Sequence, residues 1–141
     1  MEIPWIPIEQ PGAGPEVQVM GSRFELKTAW RSPQFLIYSL RLWRQARRSA
    51  GILGVSLRAQ PMAGVFWTLS AWTSRQALTA FAGTDPHATA MKRIRPWMRE
   101  STFRFWPVPA GDITDTAFRP ADLWAQAQRR IEAAAASPKA T

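Results

Sequence analysis

The only histidine of the chain, His87, precedes Met91 by four residues, and residues four apart share one face of a helix. Asp85 and Pro86 predict that a helix begins here, with Asp85 as the cap and the proline in the first turn. The positive end of the helix dipole disfavours imidazolium, so a neutral His87 ring could bind a metal or accept a proton. Three interpretations follow for His87: a structural residue at a helix start, an acid, base or substrate contact in a pocket, or a haem ligand.

Two strands before this helix carry the side chains of a candidate pocket. The stretches "ILGVSLRAQ" and "VFWTLSAW" alternate with a period of two, and "PMAG" joins them as a hairpin-sized turn. One set of alternates is apolar: Leu53, Val55, Leu57, Val65, Trp67 and Leu69. The other set mixes aromatic and polar groups, which is typical of a small-molecule site. This mixed set, together with Trp106 of the later strand "STFRFWPV", forms the predicted substrate-binding site. Its residues are Ser56, Phe66, Thr68, Ser70, Trp72 and Trp106.

Arg104 lies on that later strand, two residues before Trp106. A guanidinium stays charged and binds anions in a fork, so Arg104 is the predicted group for holding a developing negative charge. Three further arginines, Arg41, Arg44 and Arg48, form a stripe along a predicted helix. That stripe is either a solvated face or a surface for an acidic partner or haem propionates.

The elements that position these side chains follow the order strand–helix–strand–strand–helix–strand. The first strand starts at Val17, with a bulge or bend expected at Gly21–Ser22. Ser32–Pro33 predicts a hydroxyl-capped helix. Thr73 or Ser74 should cap the helix that follows the hairpin. The core face of the first helix is expected to carry Leu36, Leu40, Trp43 and Ala46.

This order predicts a ferredoxin-like βαββαβ domain over residues 17–108, with helices on one face of a four-stranded antiparallel sheet. Residues 1–16 contain four prolines, which favour an extended N-terminal arm over a sheet strand. Residues 109–141 predict a loop and a C-terminal helix. The apolar alternates should pack under the helices, which leaves the mixed alternates on an open face of the sheet.

Two partners could cover that open face. In one arrangement two copies close sheet to sheet into a dimeric α+β barrel with an apolar cavity. In the other, single-stranded nucleic acid stacks on the exposed aromatics, as in RNA-recognition domains. The strand "AGVFWTLSAW" lacks the paired glycines and the leading basic residue of that RNA motif, which makes nucleic acid the weaker alternative.

The stretch "FWTLSAWTSRQALTAFAGTDPHATAM" resembles the core of the antibiotic biosynthesis monooxygenase-like dimeric α+β barrels. The matching features are a strand ending in Trp72, a Thr-Ser cap, an Ala-Leu-x-x-Phe helix and, after a short break, Pro86–His87. The segment "GTDPHATAMKRIRPWMRESTFRFW" is also similar to part of the spheroidene monooxygenases, which are haem-associated carotenoid oxygenases. The resemblance covers residues from about 17 to 108 and implies the same fold.

The resemblance implies oxygenase chemistry with either no cofactor or a haem. It implies that Trp72 holds an aromatic substrate against oxygen. The predicted catalytic residues are then Trp72, His87 as a proton carrier, and Arg104 as the group that holds negative charge. The haem-degrading members place their axial histidine where this chain has Met91, so a haem would be held by His87 or next to Met91. The superfamily also contains members without established activity.

Composition narrows these choices only in part. The chain has no cysteine, which excludes disulfides and thiolate sites, and a net charge of +8, with fifteen Arg against three Lys. That charge reflects either coding bias or an anionic partner. No signal peptide, membrane-spanning run, nucleophile elbow, phosphate loop or dinucleotide fingerprint occurs in the sequence, so a cytoplasmic location is expected and hydrolase, kinase and Rossmann functions are not.

The sequence therefore predicts a homodimeric, monooxygenase-like barrel that oxidises or binds a small aromatic or polyene molecule. The alternatives are a non-catalytic binding or interaction protein on the same scaffold and, less favoured, a protein that binds single-stranded nucleic acid.

Overall fold

A computed structural model describes residues 1–8 and 14–136. The strands are β1 (Glu2–Pro7), β2 (Glu16–Leu26), β3 (Ile52–Gln60), β4 (Val65–Trp72) and β5 (Met98–Pro109). The helices are α1 (Ser32–Arg47), α2 (Arg75–Ala82), α3 (His87–Ile94), the single turn α4 (Gly111–Thr114) and α5 (Pro120–Ala136). Residues 16–109 therefore follow the predicted βαββαβ order, and the predicted C-terminal helix is confirmed up to residue 136.

The sheet is antiparallel with the order β1-β3-β4-β2-β5, so it has five strands where the sequence predicted four. The additional strand comes from the segment predicted to be an extended arm. Residues 2–7 pair with β3 at the edge of the sheet, where Pro4 and Pro7 are tolerated because an edge strand needs only part of its N–H groups for the ladder. Residues 9–13 of the expected arm and residues 137–141 of the expected tail lie outside the described residues.

Helix α1 packs on the sheet largely through its predicted face, because Leu36, Trp43 and Ala46 all belong to or pack against core clusters. Phe35 and Ala46 are buried, whereas Leu40 is 37% exposed, so the prediction for Leu40 was wrong. The Ser32 hydroxyl does not cap the helix either: it donates to the Pro61 carbonyl at 2.6 Å and ties the start of α1 to the β3–β4 turn. Ser74 caps α2 as predicted, with its Oγ accepting from the Ala77 amide at 3.1 Å.

Both faces of the sheet are covered by helices. Helices α1, α2 and α3 lie on one face, and α5 lies on the other, with Leu123, Trp124 and Ala127 packed into a core cluster that also contains Trp106. The expected open face is therefore absent: the apolar alternates of β4, including Leu69, contact α5, and the mixed alternates of β4 lie beneath α1, α2 and α3. The sequence prediction failed here because it gave the sheet only one layer of helices to bury against.

Gly21 allows α5 to approach the sheet closely. A Cβ atom on Gly21 would lie 3.2 Å from both the Ala127 Cβ and the ring of Trp106. Strand β2 runs through Gly21 and Ser22 in unbroken register with β4, so the expected bulge or bend at this point was wrong. Among the described residues, no helix has both the length and the apolar character required to cross a bilayer.

We expect Gly54→Ala to destabilise the protein by about 1–3 kcal/mol, because overpacking a filled site forces its neighbours to move. A Cβ on Gly54 would lie 2.0 Å from the Trp5 ring, which packs on this glycine and anchors β1 to the sheet. Gly111→Ala is the matched control, since nothing lies within 4 Å of its added Cβ, and its effect should stay within about 0.5 kcal/mol. Urea denaturation measures both.

A double-mutant cycle assigns the penalty to Trp5. In a Trp5→Ala background the cost of Gly54→Ala should largely disappear, because the two groups then no longer compete for the same space. Equal effects of Gly54→Ala and Gly111→Ala in the parent protein would contradict this packing.

Candidate functional site

A cavity of about 80 Å³ lies between the sheet and helices α1, α2 and α3. Its walls combine aromatic, methionine and hydroxyl side chains, which is the composition of a small-molecule site. Strands β2 and β4 form its floor, α1 one wall, and α2 with α3 the opposite wall. Side chains on these walls include Met20, Ser22, Phe35, Ser39, Trp43, Thr68, Ser70, Phe81, His87, Met91 and Phe103.

The floor of the cavity carries three hydroxyl groups. Ser22 and Thr68 face each other across β2 and β4 in direct register, and their hydroxyls share a short hydrogen bond. Whichever of the two donates, the other keeps its hydrogen for a further partner. The Ser70 hydroxyl accepts from Trp72 Nε1 at 2.8 Å, which also leaves the Ser70 hydrogen free to donate.

Trp43 adds a donor that has no partner. Its Nε1 is buried and makes no hydrogen bond, and its side chain lines the cavity. The guanidinium of Arg47 stacks over the ring at 4.8 Å from its centroid, which helps to hold the indole in place. A buried donor without an acceptor is costly, and Trp43 Nε1 is such a donor in a side chain of the cavity wall.

His87 is held at the cavity wall in one tautomer. Its Nδ1 lies 3.0 Å from the Ala82 carbonyl oxygen, which can only accept, so Nδ1 carries the proton and Nε2 keeps its lone pair. Burial lowers the pKa of His87 below its ordinary value, although the Ala82 carbonyl acts in the opposite direction. Phe81 packs against the imidazole with ring centroids 4.8 Å apart. At neutral pH the ring is therefore uncharged, and Nε2 can take up a proton.

Gln45 of α1 fixes the loop that presents His87. Its Oε1 accepts from the His87 amide at 2.9 Å, and its Nε2 donates to the carbonyls of Thr84 at 3.1 Å and Phe81 at 3.4 Å. Pro86, and not Asp85 as predicted, occupies the cap position of α3; Asp85 lies one residue earlier and accepts from the amide and hydroxyl of Thr89. One amide side chain thus sets the position of the histidine relative to the wall that carries Trp43.

Five predicted site residues line this one cavity: Ser56, Thr68, Ser70, His87 and Met91. Phe66 and Trp72 lie on the same sheet face but are fully buried beside the cavity. Phe66 packs on Phe35 with centroids 4.5 Å apart, and Trp72 packs on Phe81 and donates to Ser70. Both therefore shape the site from behind its walls.

The structure places the other two predicted residues, and the hydroxyl of Ser56, elsewhere. Trp106 packs on α5 at the opposite face of the sheet, where its Nε1 donates to Gln126 at 3.1 Å. Arg104 is exposed on that strand and donates to the Phe103 carbonyl at 2.7 Å. Ser56 reaches the cavity wall, but its hydroxyl donates to the Ile3 carbonyl and accepts from Trp124. The sequence prediction grouped these three residues with Thr68 and Ser70, but the strand register aligns them with Leu69 and Ala71 on the face that α5 covers.

Sequence reasoning missed Ser22, Ser39, Trp43 and Phe81 as cavity residues. Trp43 was assigned to the core from its helical spacing, and nothing in the sequence marks its Nε1 as unpartnered. Ser22 was taken as part of a bend. The alternating pattern around Ser22 indicated a continuous strand, and on such a strand the Ser22 hydroxyl can pair with the Thr68 hydroxyl of the neighbouring strand.

The cavity does not fit a haem. Pockets for ligands of that size have volumes of roughly 300–1,000 Å³, several times the 80 Å³ between these walls. Within residues 1–8 and 14–136, no three His, Cys, Asp or Glu side chains come together as a metal site. No step of the chemistry below is therefore routed through haem.

Several solved structures share this fold. A Nitrosomonas europaea protein assigned as an antibiotic biosynthesis monooxygenase has a TM-score of 0.58 at 15% identity and covers 73% of this chain and 94% of its own. A variant of SnoaB, a cofactor-independent oxygenase from Streptomyces nogalater, has a TM-score of 0.53 at 17% identity, with coverages of 66% and 92%. The SO0527 protein of Shewanella oneidensis has a TM-score of 0.60 at 12% identity, with coverages of 67% and 93%. At these identities the likeness establishes the ferredoxin-like monooxygenase fold alone.

At the level of sequence, the model of a family described as "Domain of unknown function (DUF3291)" matches residues 27–137. The match begins just after β2 and includes both helical walls of the cavity, β4 of its floor and all of α5. No curated protein matches the sequence.

We expect the free energy of unfolding to fall as the pH drops below about 6.5, the ordinary pKa of histidine. The folded state lowers the pKa of His87, so the unfolded chain takes up the proton first and stability rises with pH across that window. His87→Asn, which keeps a donor near the position of Nδ1, should remove this dependence. Urea denaturation between pH 5 and 8 measures it for both proteins.

Asp85 does not interfere in this range. Hydrogen bonds from Thr89 lower its pKa below the ordinary value of 3.8, so it titrates outside the window. Identical pH profiles for the parent and His87→Asn would contradict the assignment of a half-buried, neutral histidine.

Proposed function

The chain belongs to the DUF3291 family, and on its monooxygenase-like fold we propose that it oxidises a small phenol or enol in the cavity beneath α1, α2 and α3. His87 Nε2 takes the acidic proton of the substrate. Trp43 Nε1 and the Ser70 hydroxyl then donate to the resulting oxyanion. No cofactor is needed in this scheme, because the electron-rich anion itself reduces oxygen.

The reaction balances without an added reductant. The substrate loses the hydrogen of its hydroxyl group and one hydrogen from a conjugated carbon; that carbon gains one oxygen atom as a carbonyl, and the second oxygen atom leaves as water with the two hydrogens. Oxygen is the oxidant and the substrate supplies all the electrons. The protein contributes proton transfer, orientation and electrostatic stabilisation, which require only the side chains described above.

The unpartnered Nε1 of Trp43 is the observation that carries the proposal. A donor left unsatisfied in a buried wall, opposite a neutral histidine, is complementary to an anion formed in the cavity and not to a filled apolar core. The free hydrogen of Ser70 adds a second donor because Trp72 occupies its acceptor position. Trp72 thus acts through Ser70, as a positioning residue, and is not itself in contact with the substrate.

The cavity volume limits the substrate to a small ring. A cavity of about 150 Å³ can hold benzene, so the 80 Å³ space must open slightly to admit a phenol. Met20 and Met91 line it, and unbranched methionine side chains readily change rotamer. A polyene such as a carotenoid is far larger than this space, so the proposed ligand is the small aromatic one.

The proposed site is complete within one chain. Packing two sheets face to face, as the predicted homodimer requires, would displace α5 from the cluster around Trp106 and Trp124. A homodimer in this proposal therefore forms through another surface and leaves the cavity unchanged. Because α5 covers this face of the sheet, nucleic acid bases cannot stack on its aromatic side chains while α5 stays in place.

A non-catalytic ligand-binding protein is the second candidate, favoured by the small volume of the cavity. It predicts the same binding of a small phenol but no oxygen uptake. Oxygen-electrode measurements with a panel of small hydroquinones and enols separate the two functions.

4-Nitrophenol provides the test of the site, because its anion absorbs visibly. Binding should shift its ionisation towards the phenolate. Trp43→Phe should weaken binding of the anion about tenfold to hundredfold, the loss expected for one hydrogen bond to a charged group. Trp5→Phe is the matched control, since Trp5 Nε1 is also buried and unpartnered but lies outside the cavity. His87→Asn should abolish the shift towards phenolate.

Arg104→Gln should leave 4-nitrophenol binding unchanged, because Arg104 lies on the opposite face of the sheet. The proposal is wrong if Trp43→Phe and Trp5→Phe have equal effects, or if 4-nitrophenol does not bind at all.

A further inference from the structure

A second concave site, distinct from the cavity, lies between α1 and the α2–α3 segment. It has a volume of about 610 Å³ and opens to solvent. Its wall along α1 carries three guanidinium groups, two from the helix and one from the cap residue Arg48, spaced three and four residues apart. Its floor is apolar and comes from the opposite segment. We call it the arginine groove, and its main lining residues are Arg41, Arg44, Arg48, Ala77, Ala80 and Phe81.

The charge of the arginine groove is uncompensated. No Asp or Glu lines it, and the one ion pair within the described part of the chain, Arg58–Glu2, is elsewhere. Arg41 stacks over Tyr38 at 5.7 Å from the ring centroid, whereas the guanidinium groups of Arg44 and Arg48 make no hydrogen bond, ion pair or ring contact with described residues. The acidic side chain of the neighbouring loop, Asp85, is bonded to Thr89.

Three like charges in a concavity with apolar walls concentrate positive potential at one place. Elsewhere on α1 the sequence satisfies an arginine locally, because Arg47 stacks over the Trp43 ring at 4.8 Å. Like charges three and four residues apart on one helix destabilise it, and a bound anion would remove that repulsion. The positive charge of the groove therefore favours an anionic group, and its apolar floor favours an apolar group in the same ligand.

We propose that the arginine groove binds a small molecule that carries one anionic group, a carboxylate or phosphate, on an apolar body. Arg44 and Arg48 bind the anionic group, since guanidinium forks match both anions in geometry. The apolar body lies over Ala77, Ala80 and the edge of Phe81. The volume lies within the range of about 300–1,000 Å³ typical of small-molecule sites.

Phe81 contributes to both the groove and the cavity. It is the side chain that separates them, and Gln45 ties its carbonyl to α1 beside the groove. A ligand in the groove therefore lies next to the histidine wall of the cavity. Binding in the groove does not depend on the chemistry proposed for the cavity, so each can be tested alone.

The test is calorimetric titration of the full chain with 2-naphthyl phosphate, which combines a ring system with a dianion. The double variant Arg44→Gln/Arg48→Gln should lose at least about tenfold in affinity, because hydrogen bonds to charged groups are lost. Arg119→Gln/Arg129→Gln is the matched control: it removes the same charge from exposed arginines outside the groove and should bind as the parent does.

Two more comparisons separate the parts of the groove. Neutral 2-naphthol and inorganic phosphate should each bind at least about tenfold more weakly than 2-naphthyl phosphate, since each lacks one half of the ligand. Ala80→Trp should block the floor and weaken binding without changing the charge. All of these positions are exposed, so the variants should fold, and circular dichroism with urea denaturation verifies this.

Equal affinity of the two double variants would overturn the proposal, as would 2-naphthol or inorganic phosphate binding as tightly as 2-naphthyl phosphate. No binding of 2-naphthyl phosphate at millimolar concentration would overturn it as well. Trp43→Phe should leave this titration unchanged because Trp43 does not line the groove, so failure here is distinguishable from failure of the cavity proposal.

Discussion

A sheet with apolar side chains on both faces has to be covered on both sides, and this constraint organises the whole molecule. Helices α1, α2 and α3 cover one face, and α5 covers the other through Leu123, Trp124 and Ala127. Gly21 allows α5 to lie close to Trp106. Because α5 belongs to the same chain, the sheet needs no second copy to bury its second face.

The face beneath α1, α2 and α3 can therefore hold polar groups that a continuous core would exclude. The hydroxyls of Ser22, Thr68 and Ser70 lie there among aromatic rings, and each has a hydrogen-bond partner. Buried polar groups are stable only when they are paired, and these pairs leave two hydroxyl hydrogens unused on the floor of a small space. Beside this space, at the arginine groove, Gln45 connects α1 to the His87 loop and so holds the two helical walls of the cavity together.

The sequence was sufficient to predict the βαββαβ order, because the period-two alternation of β3 and β4 and the Ser74 cap are local signals. It also placed Thr68, Ser70, His87 and Met91 in one pocket. It failed to separate Trp106 and Arg104 from Thr68 and Ser70, since alternation defines the two faces of one strand but not which faces of neighbouring strands coincide. It failed for β1 because Pro4 and Pro7 argue against a central strand but are compatible with an edge strand. The partner of a buried indole, as for Trp43, depends on tertiary contacts that no spacing reveals.

The central claim is that His87 is neutral, with its proton on Nδ1 and its lone pair on Nε2 at the cavity wall. Because the chain has a single histidine, nitrogen-15 NMR of the imidazole gives an unambiguous answer. At pH 7 the account predicts one protonated nitrogen, Nδ1, bonded to the Ala82 carbonyl, and one unprotonated nitrogen, Nε2. Two protonated nitrogens, or a proton on Nε2 with Nδ1 bare, would contradict it.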